Sequence, residues 1–232
     1  MTHTTEPLVT VVIPFYNGAE HLATAIETVR EQSYPQLEVV LVDDGSTDGS
    51  GKIAESHADL RTLRHETNRG VAVARNTGVT AAHGEIVTFL DCDDTWPVER
   101  LDIIVKAFVD NPEFGYVLGR EMMAVEACAT VPPWIKPEWL VEPQDASNTP
   151  VLAVRRETFD RVGLFNPDLR ESEDTEWLLR AAELRIPMTR LPHIVVHRTI
   201  RENSLSARAI ETRAATFLRL ARESVQRRHG DG

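Results

Sequence analysis

The chain has 232 residues, which is long enough to enclose one large hydrophobic core. Its hydrophobic content of 42% and charged content of 26% are typical of a globular protein. The formal net charge of −11, from 25 basic and 36 acidic residues, argues against a nucleic-acid partner, and a phosphate ligand would need cations placed close to it.

The first half of the chain alternates short apolar runs with stretches of helical periodicity. The apolar runs predict buried strands over residues 8–13, 37–42, 60–63 and 86–90. The stretches between them predict helices over residues 20–32, 47–57 and 71–82. Apolar strands that alternate with helices indicate a parallel sheet covered on both faces. Ligands of such sheets bind beyond the carboxyl ends of the strands, so we expect the site at that edge.

The second half of the chain has a less regular pattern. It predicts helices over residues 98–111, 157–162 and 173–184, and strands over residues 115–122, 150–155 and 189–196. Residues 126–149 form a predicted loop, and its proline- and tryptophan-rich stretch 131–143 either binds an acceptor or covers the core. An amphipathic helix with a basic face is predicted over residues 207–228. Such a helix packs on its own domain or on a dimer partner, or it rests on anionic lipid.

Asp91-Cys92-Asp93 lies at the end of the fourth predicted strand. Because strand side chains alternate, Asp91 and Asp93 point to one side and Cys92 to the other. Two neighbouring carboxylates repel unless a cation lies between them or one takes a proton. Hard oxygen ligands suit Mn²⁺ or Mg²⁺, with phosphate oxygens and water completing the shell. The alternative is that both aspartates cap the following helix and face water.

Two further acidic clusters allow a structural and a chemical interpretation. The segment Asp43–Asp48 follows the second predicted strand; it is either a capped strand-to-helix turn or a contact to the base or ribose of a nucleotide. Glu173-Asp174 begins a predicted helix, where acids are favoured by the helix dipole. Asp174 is alternatively a general base that accepts a proton from an acceptor hydroxyl.

These segments together resemble the inverting family 2 glycosyltransferases of the GT-A fold. The donor-side likeness is carried, in order, by Val11–Asn17, Val42–Asp48, Gly70–Gly78 and Phe89–Asp94. The acceptor-side likeness is carried by Arg155-Arg156, Gly163–Phe165, Ser172–Asp174 and Trp177–Arg180. The resemblance covers about residues 8–206.

The resemblance implies an α/β fold with a Rossmann-like, mixed but mostly parallel sheet flanked by helices. It implies one glycosyltransferase domain over residues 1–206, followed by the amphipathic helix and tail at 207–232. Within that domain, residues 8–122 would form the nucleotide-sugar-binding half and residues 123–206 the acceptor-binding half.

The resemblance also assigns roles to individual residues. Asp91 and Asp93 would be the D-x-D pair that holds Mn²⁺ or Mg²⁺, with Asp93 the direct ligand. Asp174 would be the catalytic base. The remaining donor-binding residues, implied by their positions in the family segments, are Pro14, Tyr16, Asp43, Asp44 and Arg75.

The sequence departs from the family pattern near residue 200. Members often carry a histidine in an Arg-x-His or Arg-x-Ile-His stretch, and here Arg201 stands where that histidine is expected. His197 either substitutes as a metal ligand or is a satisfied residue at a strand end. The alternative is that Arg201 pairs with the phosphates of the donor, which suits guanidinium chemistry.

The resemblance implies transfer of one sugar from a nucleotide-sugar donor, with a UDP-sugar as the default. The acceptor hydroxyl belongs to a polysaccharide, a lipid-linked molecule, a peptide or a small molecule. The alternatives are a sugar nucleotidyltransferase and a catalytically inactive nucleotide-sugar-binding protein. A P-loop is excluded because Ser46 and Ile53 occupy positions that require glycine and Ser/Thr, and no G-x-G-x-x-G follows the first strand.

Composition also bounds the cellular compartment. The two cysteines, Cys92 and Cys128, form no disulfide framework, which favours a reducing compartment. Residues 1–7 lack a signal-peptide pattern, and no run approaches the roughly 18 apolar residues of a membrane-spanning helix. We therefore expect a cytoplasmic protein, with peripheral contact to a membrane as the open alternative.

Overall fold

The computed structural model of the chain describes residues 6–126, 131–132 and 135–201, together with positions 216, 219, 220 and 222. The helix predicted over 207–228 lies outside the described residues except at those four positions, which are helical. Cys128 and Trp134 lie outside them as well. None of the helices in the described segments is long and apolar enough to cross a membrane.

Up to residue 201, the described residues form eight strands and six α-helices. The strands are β1 Val9–Phe15, β2 Leu37–Asp43, β3 Arg61–Arg64, β4 Ile86–Phe89, β5 Tyr116–Val125, β6 Gln144–Asp145, β7 Leu152–Arg155 and β8 Met188–Ile200. The helices are α1 Leu22–Arg30, α2 Ser50–Ser56, α3 Val71–Ala81, α4 Arg100–Asp110, α5 Arg156–Val162 and α6 Glu173–Glu183. Two 3₁₀ turns span Pro137–Leu140 and Thr149–Val151.

The strands form one mixed sheet in the order β3-β2-β1-β4-β7-β5-β6, with β8 paired to β5. The four strands of the first half are parallel, as predicted. The second half adds antiparallel pairs, because β7 runs against both β4 and β5, and β6 runs against β5. Strand β8 returns parallel to β5 and extends to Ile200, four residues beyond its predicted end. The fold is therefore the predicted α/β arrangement with a mixed, mostly parallel sheet.

The central strands are fully enclosed. All seven residues of β1 and all four of β4 are buried, which explains their continuously apolar sequences. Helix α3 lies close against β1 at Gly78, where a Cβ atom would stand 2.2 Å from Val12 Cγ1. Only glycine permits this approach, and Arg75 lies one turn earlier on the same helix.

A smaller apolar cluster lies beside the main core. Met123, Ile135 and Ile200 form its buried centre, and Trp139 packs against them. Trp139 thus covers apolar surface, as one of the two interpretations of the 126–149 loop expects. Its neighbour Lys136 places the ammonium nitrogen 5.5 Å from the centre of the indole ring.

Arg100 is a fully buried cation at the start of α4. Its Nη1 donates to the carbonyl oxygens of Pro150 (2.8 Å) and Val195 (2.6 Å), and Nη2 donates to Thr88 Oγ1 (2.6 Å). Its guanidinium carbon lies 4.0 Å from the centre of the Trp96 ring. Burial lowers the pKa of Arg100 to about 9, although nearby Asp94 opposes that shift. One side chain therefore joins α4 to β4, β8 and the turn before β7.

We expect Arg100→Met to lower the free energy of unfolding by about 3 kcal/mol, because three buried acceptors lose their donor. Lys106→Met on the same helix is the matched control: it removes an exposed pair with Asp110 and should change stability by less than about 0.5 kcal/mol. Urea denaturation measures both values. Equal losses in the two variants would contradict a structural role for Arg100.

Candidate active site

The loops after β1 and β2 are joined by hydrogen bonds at the carboxyl edge of the sheet. The Asn17 N–H donates to Ser46 Oγ (3.0 Å), and the Thr47 N–H donates to Asn17 Oδ1 (2.8 Å). Asn17 has a φ of 52°, a left-handed conformation that asparagine tolerates better than most residues. Beside it, the side chain of Tyr16 is exposed, whereas Pro14 is buried within β1.

Asp44 is a buried carboxylate that organises the loop before α3. Its Oδ1 accepts the N–H of Arg69 (3.0 Å) and lies 2.7 Å from His65 Nδ1. Its Oδ2 accepts the N–H of Gly70 (2.8 Å). Both carboxylate oxygens of Asp44 therefore already have protein partners. In this arrangement Asp44 fixes the loop before α3 at the edge of the site.

Only one of the two carboxylate oxygens of the neighbouring Asp43 accepts a hydrogen bond from the described residues. Its Oδ1 accepts the N–H of Ser46 (2.7 Å). Its Oδ2 is buried and has no hydrogen-bond partner among the described residues, although Arg64 Nε lies 3.5 Å away. An oxygen of this kind can accept a further donor from a ligand.

Arg75 connects two acidic segments that lie far apart in the sequence. Its Nη2 donates to Asp91 Oδ1 (2.6 Å), and its Nη1 donates to Glu173 Oε1. Asp91 follows β4, whereas Glu173 is the first residue of α6. The structure thus brings the end of the D-x-D strand and the predicted base helix together around one buried guanidinium.

The electrostatics around Arg75 are strongly perturbed. Burial alone would lower the pKa of Arg75, but the carboxylates of Asp91, Glu173 and Asp174 raise it above its ordinary value. Burial raises the pKa of Glu173 to about 7; Arg75 opposes this shift, and Asp174 and Asp91 add to it. The cation is therefore permanent, while Glu173 holds its proton more readily than an exposed glutamate.

Asp174 lies in the first turn of α6, next to Glu173. Its Oδ1 accepts the N–H of Thr175 (2.6 Å), which fixes the orientation of the carboxylate. The preceding Ser172 has a φ of 64°, so the chain enters the helix through a left-handed residue. Asp174 is half-buried, and a ligand at this edge can reach it.

The segment 93–95 is attached to the end of β8. Thr95 and His197 exchange two backbone hydrogen bonds, and the Thr199 N–H donates to an oxygen of Asp94 (2.9 Å). Burial and the neighbouring Asp93 raise the pKa of Asp94 well above its ordinary value. Just after β8, Arg201 Nη2 donates to Asp93 Oδ2 of the same segment.

The predicted metal ligands are only partly assembled. Asp91 and Asp93 lie at the same edge, each paired with an arginine. The side chain of His197 is exposed. Within the described ranges, no three His, Cys, Asp or Glu side chains converge to hold an ion. His197 therefore does not join the two aspartates in a three-ligand group.

Cys92 lies between the two aspartates and packs against the main core. A Cβ atom at Gly18 would stand 2.8 Å from its sulfur, so the thiol is enclosed from that side. Burial raises the pKa of the Cys92 thiol, and Asp93 and Asp91 reinforce the shift. The thiol is therefore a packing group, as predicted, but the strand alternation used to predict it does not apply, because β4 ends at Phe89 and Cys92 and Asp93 lie in a turn.

A shallow groove of about 420 Å³ lies between β3 and α3. Its lining, which includes Arg61, Arg69 and Asn76, contains none of the predicted donor, metal or base residues. We therefore place the candidate site at the carboxyl edge of the sheet, where the predicted residues lie.

Two contacts at this edge are not evident from the sequence patterns. His65, which bonds to Asp44, stands in a segment without a recognisable motif. Glu173 has the signature of a residue that stabilises a helix start, and its bond to Arg75 spans 98 positions of sequence. Only the three-dimensional arrangement identifies these partners.

We expect the free energy of unfolding of the wild type to fall relative to that of Glu173→Gln as the pH rises from about 4.5 to about 7. In this window the native state keeps the Glu173 proton while the unfolded chain has lost it, so stability declines by up to about 1.4 kcal/mol per pH unit. Glutamine has no such proton. Urea denaturation across this range measures the slope.

Glu176→Gln is the matched control, because it removes a carboxylate of the same helix that pairs with Arg180. An identical pH dependence in both variants would show that the proton is not held at Glu173.

Residues 10–124 match the family model described as glycosyl transferase family 2. Among curated relatives, the uncharacterized glycosyltransferase EpsJ of Bacillus subtilis is 31% identical over 192 residues, which cover 75% of this chain and 56% of EpsJ. The putative teichuronic acid biosynthesis glycosyltransferase TuaG of the same organism is 34% identical over 123 residues, covering 51% of this chain and 49% of TuaG. The chain spans about half the length of these two relatives.

Solved structures agree with this assignment. A mannosyltransferase of Pyrobaculum calidifontis, in complex with GDP-Man and Mn²⁺, superimposes with a TM-score of 0.68 and 29% identity, covering 89% of this chain and 61% of that one. S. aureus TarS in complex with UDP has a TM-score of 0.70 and 24% identity, covering 94% and 65% respectively, and supports the fold. The chain belongs to glycosyltransferase family 2.

Proposed function

We propose that the protein transfers a single hexose from a nucleotide-sugar donor, by default a UDP-sugar, to an acceptor hydroxyl with inversion at the anomeric carbon. The observation that carries this proposal is the arrangement around Arg75, which joins the end of the D-x-D strand to the start of the Asp174 helix. Metal-binding and proton-accepting groups are needed on either side of a reacting sugar. Family membership supports the same chemistry.

The donor would lie along the carboxyl ends of β1, β2 and β4. Asp43 Oδ2, which has an ion pair with Arg64 but no hydrogen-bond partner among the described residues, would accept an N–H or O–H of the nucleoside, and the exposed ring of Tyr16 is suited to stack on that nucleoside. Asp44 would act by holding the loop that ends at Gly70. The related mannosyltransferase binds GDP-Man, so a guanosine donor is tested beside the uridine default.

The Asp91–Asp93 pair fits a divalent cation. Both carboxylates offer hard oxygens at an accessible edge, with 30% and 18% of their side-chain surfaces exposed. Mn²⁺ or Mg²⁺ would be held by Asp93, with Asp91 beside it, and by oxygens of water and diphosphate. When bound, the ion stabilises negative charge on the leaving diphosphate. The ligand role predicted for His197 has no supporting contact in this structure.

Asp174 would remove the proton of the acceptor hydroxyl. As that oxygen bonds to the anomeric carbon, the bond to the diphosphate oxygen breaks, and the proton passes to the Asp174 carboxylate. The Thr175 N–H orients the base by bonding to its Oδ1. Arg75 supplies permanent positive charge beside Asp91, Glu173 and Asp174, which limits repulsion among these acids and the donor phosphates.

In this proposal residues 8–122 carry the donor and residues 123–206 the acceptor. The acceptor remains within the four predicted classes of polysaccharide, lipid-linked molecule, peptide and small molecule. Dimer or lipid contact through the helix at 207–228 also stays a prediction. The sugar nucleotidyltransferase alternative receives no support from the family assignment.

The first experiment is a panel of UDP- and GDP-sugars with Mn²⁺ or Mg²⁺. We expect one donor to raise the melting temperature and to release nucleoside diphosphate slowly through hydrolysis, which needs no acceptor. If no donor stabilises the fold or reacts, the transferase proposal fails. Stabilisation without any release, even with acceptors of all four classes, would instead favour the inactive binding protein.

We expect Asp174→Asn to reduce donor turnover by about 10²-fold to 10⁴-fold, because the amide cannot accept the proton. The donor-induced shift in melting temperature should be retained, since Asp174 acts on the attacking hydroxyl. Asp168→Asn is the matched control, as Asp168 is an exposed aspartate shortly before α6. Turnover near the wild-type rate in Asp174→Asn would remove this residue as the base.

A further inference from the structure

Arg201 occupies a position next to the residue expected to bind the cation. Its guanidinium Nη2 donates to Asp93 Oδ2. Asp93 is 18% exposed and Arg201 is 29% exposed, so the pair lies at the accessible edge of the site. A positive charge therefore lies directly against Asp93 in this structure.

The fold itself delivers Arg201 to this place. Residue 201 directly follows β8, and the end of β8 is fixed to the D-x-D segment by two kinds of contact. Thr95 and His197 exchange backbone hydrogen bonds of 3.1 and 2.8 Å, and the Thr199 N–H donates to Asp94 (2.9 Å). With these anchors two and four residues away, the approach of Arg201 to Asp93 follows from the pairing of the strand.

The contact of Arg201 differs from that of Arg75. Arg75 is buried and donates to two carboxylates, Asp91 and Glu173. Arg201 is more exposed and donates to one carboxylate, and its Nε has no hydrogen-bond partner among the residues that the structure describes. The guanidinium at Asp93 is thus the more easily displaced of the two.

We propose that Arg201 is a tethered counter-ion of Asp93 that competes with the divalent cation for this carboxylate. The cation then binds weakly to the protein alone and is held firmly only together with a nucleoside diphosphate. The diphosphate supplies the oxygens that complete the metal shell, and it gives the released guanidinium a new anionic partner. This inference rests on the proposed function, since it concerns the same donor site.

Simple electrostatics gives the size of the effect. Two unit charges about 4 Å apart in a water-like medium attract by about 1 kcal/mol, which corresponds to roughly a fivefold change in affinity. A cation that binds Asp93 must overcome this attraction and also meets the repulsion of the guanidinium. Removing the charge of Arg201 should therefore strengthen metal binding by at least about fivefold.

The test measures Mn²⁺ binding to the full chain without nucleotide, with the electron paramagnetic resonance signal of free Mn²⁺ as the readout. Arg201→Gln is expected to bind Mn²⁺ at least about fivefold more tightly than the wild type, and Arg201→Lys, which keeps the charge, should stay close to the wild type. Arg120→Gln is the matched control: it removes an arginine from an exposed pair with Asp145. Its Mn²⁺ affinity should be unchanged.

Three results would overturn the proposal. These are weaker binding in Arg201→Gln, no difference between the wild type and that variant (including no binding in either), and an equal gain in Arg120→Gln. The last result would mean that net charge alone is responsible. A parallel titration with UDP and GDP in the presence of Mn²⁺ tests the proposed function separately. If neither nucleotide binds, the proposed function fails, but the comparison of Mn²⁺ affinities, which is made without nucleotide, still stands.

Discussion

The candidate site depends on the buried guanidinium of Arg75. Three carboxylates, those of Asp91, Glu173 and Asp174, lie around it in an acidic protein, and without a central cation they would repel one another. The planar fork of arginine reaches Asp91 and Glu173 at once, which a lysine ammonium at the same position would do less well. Gly78, one turn later, lets α3 lie close enough to the sheet for this contact. Helix α3 therefore carries both Gly78, which allows the close packing on the sheet, and Arg75, which neutralises the acids of the site.

A second connection joins β8, in the second half of the chain, to the acidic residues that follow β4. Main-chain bonds between Thr95 and His197 and the bond from Thr199 to Asp94 fix the segment in which Asp93 lies. Strands β1 to β4 precede residue 98, whereas β8 is the last strand that the described residues form. The geometry of the predicted metal ligand therefore requires both halves of the chain to be folded. A change in β8 can alter donor binding without contacting the donor.

The main strands and helices, and the edge of the sheet at which the site is expected, can be predicted from local sequence. The side-chain contacts within the candidate site cannot. Continuous apolar runs that end in polar turns identify β1, β2 and β4, because buried parallel strands have no polar face. In the second half of the chain strands and helices alternate less regularly, so the antiparallel pairing of β7 with β4 is not predictable from the pattern there. The short β6 pairs through two residues of the main chain and leaves no periodic signal. The pairing of Arg75 with Glu173 joins residues 98 positions apart, and no local pattern encodes it.

The two aspartates of the D-x-D segment are both compensated by arginine, but in different ways. The partner of Asp91 is buried and shared with Glu173, so its charge is a permanent part of the fold. The partner of Asp93 is less buried and is held by one bond, so under our proposal its charge can be exchanged for that of an ion. The exchange conserves local neutrality, since the diphosphate brings the negative charge that the extra cation needs. Under the proposed function, a protein of net charge −11 would in this way keep both aspartates at the site without repelling the phosphates of a donor.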